Sequence, residues 1–99
     1  MVTNPLEVFE QLDPRLLKLV KDSRDLAIAD GILPKKVKLL IALALDAAHG
    51  TVSGVKSLTL QALEAGASKE EIMETLRVAH YISGAGAVFT AAHALDELF

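Results

Sequence analysis

Residues 65–72 read AGASKEEI, and these eight residues close one helix and open another. Gly66 follows an apolar run and can take the left-handed conformation that ends a helix without a Cβ penalty. Ser68 and Glu71 have the spacing S-x-x-E. The serine hydroxyl can accept from the N–H of residue 71 while the glutamate reaches back to the N–H of residue 68. A stop signal and a start signal this close together predict a tight corner between two helices.

The same punctuation extends in both directions. Before the corner, a helix is predicted from Thr51 or Ser53 to Ala65, and another from Pro34 to His49 and Gly50. After it, the helix opened by Ser68 should reach about Ser83. Gly84-Ala85-Gly86 then breaks the chain, and a last helix should occupy Ala87 to Leu98. Near the start, Asn4-Pro5 with Glu7 and then Asp13-Pro14 each give a cap followed by a proline at the first helical position. The second of these opens a helix ending near Gly31, with Leu16, Leu19, Val20, Leu26 and Ala27 on one face. No segment alternates with period two, so the reading is an all-α domain of five to six helices spanning 1–99.

Composition narrows the function classes. Hydrophobic residues make up 52% of the 99-residue chain, and mean hydropathy is +0.38. A domain this small has little interior, so part of that apolar surface is expected between subunits. The fifth helix offers Ile72, Met73, Leu76, Ala79 and Ile82 for this, and the sixth Val88, Ala91, Ala92, Leu95 and Leu98. The third, apolar from Val37 to Ala48, is expected to fill the monomer's interior. The longest apolar run, Leu39 to Leu45, stops at Asp46, far short of the roughly 18 residues that span a bilayer. MVTNPLEV has neither the basic stretch nor the apolar run of a secretory leader. There is no cysteine, which fits a cytoplasmic protein. A net charge of −3 without a basic stripe argues against nucleic-acid partners.

Two stretches, LPKKVKLLIALALDAAHG and LTLQALEAGASKEEIMETLRVAHYISGAGAV, resemble the carboxymuconolactone decarboxylase and AhpD-like family. The similarity runs from about Leu33 to Leu95, and its most specific element is the AGASKEEI corner followed by the glycine break YISGAGA. The resemblance implies an all-helical fold assembled as a trimer or hexamer. The peroxidase-like branch of the family carries C-x-x-C, a histidine four residues after the second cysteine, and an upstream glutamate. Counted back from the corner, those positions fall on Thr51, Gly54, Leu58 and Leu39. None can form a thiolate or relay a proton at neutral pH, which excludes dithiol redox chemistry for these residues alone. The decarboxylase branch needs no cysteine pair. It needs a pocket that loses charge, donors for an enolate-like oxygen, and an acid to protonate carbon.

Two histidines are candidates for that proton transfer. His49 ends the third helix, with Asp46 three residues earlier on the same face, where a carboxylate and the helix dipole would favour the protonated ring. His80 interrupts the otherwise apolar stripe Met73, Leu76, His80, Ser83 and is followed by Tyr81 and the glycine break. A helix-end histidine with a surface partner, and a hydrogen-bonded core histidine, are the plainer structural alternatives. His93, followed by Asp96 and Glu97, reads as part of a solvated face.

Thr51, Ser53, Lys56 and Ser57 surround a helix start whose free N–H groups could cradle a carboxylate, with Tyr81 as a further substrate contact. The alternative is that Thr51 and Ser53 are ordinary caps. The three histidines share no i,i+4 spacing, and neither a metal site nor another cofactor is expected. Together with the resemblance, these features imply a lyase or isomerase acting on a small anionic lactone or oxo acid. The alternative is a non-catalytic oligomeric scaffold or small-molecule-binding member.

Overall fold

The computed structural model describes residues 4–99; the first three residues of the MVTNPLEV start lie outside them. A 3-10 turn at Pro5–Val8 leads into α1 (Phe9–Leu12), then α2 (Pro14–Ile28), α3 (Lys35–His49), α4 (Val52–Glu64), α5 (Lys69–Ser83) and α6 (Ala85–Asp96). The described residues contain no strand.

The local signals act as their chemistry dictates at most boundaries. Asn4 and Asp13 each accept from a backbone N–H two or three residues on, at 3.0 and 3.1 Å. At the 65–72 corner both halves of the capping box form, at 2.9 and 3.0 Å, and Gly66 has φ +100°. Several boundaries shift: α2 ends at Ile28 rather than near Gly31, and α6 at Asp96 rather than Leu98. The chain from Asn4 forms a 3-10 turn and one short helix, because Asp13 at φ −159° interrupts it. The last helix begins at Ala85, two residues before the expected Ala87, so that Gly84 alone makes the break.

Helices α3 to α6 form the core, with α3 packed against each of the other three and α6 against α4 and α5. Leu43, Val55, Ile72, Leu76 and Ala91 meet in one buried cluster; Leu39, Ala62 and Ala67 form a second towards the 65–72 corner. The third helix fills the interior as expected through Leu39, Leu43 and Ala47, while Ile41 and Leu45 on its other side stay exposed.

Packing differs from the sequence reading on α5 and on α6, where Ala91, assigned above to a subunit contact, is buried in this chain's own core. On α5, Ile72, Leu76 and Ala79, assigned above to a subunit contact, face this chain's own core; Met73 and Ile82 remain outside. On α2, the apolar face is turned outward: Leu17 is buried, whereas Leu19 and Leu26 are 66% and 82% exposed. Amphipathic periodicity places residues on a common face but leaves open which way that face points. Among the described residues no helix is long and apolar enough to cross a membrane.

Candidate functional site: a groove between α5 and α6

Gly84, at φ +87°, turns the chain sharply from α5 into α6, so the two helices lie against each other. Ala79, Ala87, Ala91 and Ala94 are buried along this part of the core and let the helices approach closely. Beside that seam, Met73, Leu76, Arg77 and His80 from α5 face Val88, Ala91, Ala92 and Leu95 from α6 across a groove of about 420 Å³. Six of the eight lining side chains are aliphatic. The other two, Arg77 and His80, are i,i+3 neighbours on α5. Neither has a hydrogen-bond or ion-pair partner among the described residues.

This arrangement has definite chemical capacity. A planar guanidinium without a partner can take a carboxylate by two parallel N–H···O bonds. An imidazole one helical turn away carries ring nitrogens that can pass a proton to or from a bound ligand. The aliphatic wall suits the body of a small organic ligand. Arg77 escaped the sequence reading, although the 73–76–77–80 spacing places it on the same stripe as His80.

The start of α4 has a different character. The Asp46 carboxylate lies where a Cβ on Gly54 would stand, next to Thr51, and does not pair with His49. Gly54 is the position that corresponds to the second cysteine in the resemblance described above, and here the carboxylate fills the space beside it. Thr51 makes no side-chain cap. Lys56 bonds Glu97 at 2.6 Å, and Ser57 accepts from Gln61 at 3.0 Å. Ser53 and His49 are exposed. An anionic ligand at this helix start would meet a resident carboxylate and a lysine already paired.

His80 is therefore the one sequence-predicted site residue that lines the groove. His49, Thr51, Ser53, Lys56 and Ser57 lie around the α4 start, and Tyr81 projects from α5 into solvent. His93 is exposed on α6, in keeping with a solvated face. Among the described residues no three His, Asp or Glu side chains cluster as a metal site would require.

A model of the carboxymuconolactone decarboxylase family matches residues 14–97, which takes in α2 as well as the α3–α6 core. A solved structure, the apo form of lpg0406, a carboxymuconolactone decarboxylase family protein from Legionella pneumophila, superimposes with a TM-score of 0.86. It is 33% identical over 92% of this chain and 81% of that one. Among curated proteins none matches.

Proposed function

The chain belongs to the carboxymuconolactone decarboxylase family, and on that premise we propose that it acts on a small carboxylated lactone or oxo acid held in the α5–α6 groove. The observation that carries this reading is an arginine and a histidine, both without a partner among the described residues, side by side on an aliphatic wall. Arg77 anchors one carboxylate of the substrate, and His80 moves a proton at the neighbouring carbon. A carboxylate gripped by arginine is stabilised as an anion, so it is not the one that leaves. In a lyase reaction the departing carboxylate would instead lie along Met73, Leu76 and Val88, where losing charge is favourable. If no carboxylate departs, the same proton transfer is an isomerisation. Either reaction runs without a redox step, in keeping with a chain that has no cysteine.

The test is a thermal-shift screen of lactones and 2-oxo acids, which reports binding by mass action. A compound that raises the melting temperature of the wild type should lose that effect in Arg77→Gln and be bound but not turned over by His80→Asn. Both side chains are exposed, so neither change should alter the melting temperature without ligand. A full ligand shift and turnover in both variants would refute the assignment. The non-catalytic scaffold is the second reading, supported by the scatter of the remaining candidates around the α4 start rather than in the groove. It predicts no compound-specific shift at all.

A further inference from the structure

Taking the α5–α6 groove as the ligand site, as above, we infer that it is built for an amphiphile. The ligand is an oxo or lactone acid with a single carboxylate, held near the Gly84 turn, and an aliphatic body reaching to Met73 and Leu95.

The register of the two walls carries this. The lining residues of α5 lie four, seven, eight and eleven positions before Gly84, and those of α6 lie the same distances after it. These steps of three and four keep each set on one helical face. Matching distances from a sharp turn make four rungs: His80 with Val88, Arg77 with Ala91, Leu76 with Ala92, and Met73 with Leu95 at the far end. Both polar side chains stand on the two rungs next to the turn, and the far two rungs are aliphatic on both walls. The groove therefore has a head end and a tail end. Leu76 and Ala91 are buried and form its floor, so a tail lies against core surface. Met73, unbranched and half exposed, adjusts to the tail's shape.

Charge limits the ligand to one carboxylate. Glu70 and Glu74 flank Met73 on α5, and Asp96 follows Leu95 on α6, all exposed. Two cations of this region are engaged, Lys69 at 4.7 Å from the centre of the Phe99 ring and Lys56 with Glu97. A second carboxylate at the tail end would find no donor among the lining side chains and like charges beside it. Length follows from the same rungs. Seven residues of helix on each wall span about 10 Å, and an extended hydrocarbon advances about 1.3 Å per carbon, so the acid has about six to eight carbons. Its one carboxylate is the one Arg77 holds, so of the two reactions above only the isomerisation remains. The proton that His80 removes from carbon returns to the same molecule, and no co-reactant is consumed.

Calorimetric titration with straight-chain 2-oxo acids, and with 2-oxo diacids of matched length, tests this. Affinity for the monoacids should rise roughly two- to fourfold per added carbon and level off near about eight carbons. Each diacid should bind about tenfold or more weakly than the monoacid of its length. Ala92→Leu fills part of the tail end from an exposed position on α6 and should move the levelling-off to shorter chains. Arg77→Gln should weaken every acid. Arg77-dependent binding that ignores chain length, or that favours diacids, would overturn the head-and-tail shape while leaving the groove as the ligand site. Equal binding by wild type and Arg77→Gln would overturn both, as would binding of no acid at all.

Discussion

Helices α2 and α3 are both fifteen residues long, yet α3 buries Leu39, Leu43 and Ala47 whereas α2 buries Leu17 alone. They differ in apolar content, ten of fifteen residues in α3 against seven in α2, and in how those residues are arranged. α3 has aliphatic residues around most of its circumference, so some face the core whichever way the helix turns. α2 has them mainly on one stripe, and that stripe faces away. A helix of this length is marginal by itself in water. The order of α2 therefore rests on the Asp13 cap, Leu17, the Arg24–Gln61 bond and whatever covers the stripe.

Truncation on the two helices gives the largest contrast. Leu43 is fully enclosed, and Leu43→Ala should cost about 2–5 kcal/mol, read as a lower denaturant midpoint. Leu17→Ala should fall at or below the bottom of that range, since its surroundings can close over the space. Equal losses would mean that α2 is bound into the core far more firmly than its packing indicates.

The next contrast lies inside the core, where α3 meets the start of α4. Alanine normally improves a helix over glycine by about 1 kcal/mol. At Gly54 the new Cβ would meet the Asp46 carboxylate, which must swing away. Gly54→Ala should therefore lower stability in the wild-type background and raise it in Asp46→Ala. The cycle should give a coupling of about 0.5–3 kcal/mol. Additive effects would show that the carboxylate moves aside freely and that Gly54 is not reserved for it.

A smaller effect, of opposite sign, is expected at Thr59. Its hydroxyl is fully buried between Val55 and Ala62 on the inner face of α4 and has no hydrogen-bond partner among the described residues. Thr59→Val keeps the shape and removes the unsatisfied group, and should raise stability by about 1 kcal/mol. No gain in thermal or denaturant unfolding would mean that the hydroxyl finds a partner in solution.

These cases also show which features could be read from the sequence. The Ser68–Glu71 box and Gly66 were legible because their partners lie within three or four residues. The orientation of α2 was not, because the same stripe serves equally for an inner or an outer face. Ile72, Leu76 and Ala79 were assigned to a subunit contact on a similar ambiguity, since periodicity does not distinguish one core from another. At the groove, His80 was legible as a polar break in an apolar stripe. Arg77 was not, because an arginine on a helix surface is ordinary until α6 is laid beside it. Asp46 was expected to face His49, three residues away; a missing Cβ eight residues on draws it elsewhere.

The smallest effect separates an ion pair that ties two helices of the core from one within α2. Glu71 accepts from the Ser68 N–H at 2.9 Å and meets Lys36 of α3 at 2.9 Å. The Ser68 N–H bond first, and then Lys36, hold its carboxyl below the ordinary glutamate range. A carboxyl depressed in the folded chain adds stability above its unfolded pKa and loses it as pH falls through the folded value. Glu71→Gln keeps an acceptor for the Ser68 N–H and removes only the charge. The melting temperature of the variant should lie slightly below wild type at neutral pH. The gap should close as the solution is acidified through and below the ordinary glutamate range. Asp22→Asn on α2 removes an exposed pair with Lys18 inside one helix, where the gain is small and screened by salt. Its gap should be the smaller of the two at neutral pH and low protein concentration. A Glu71→Gln gap that persists unchanged in acid would show that the amide has disturbed the cap itself and that the Lys36 pair contributes nothing.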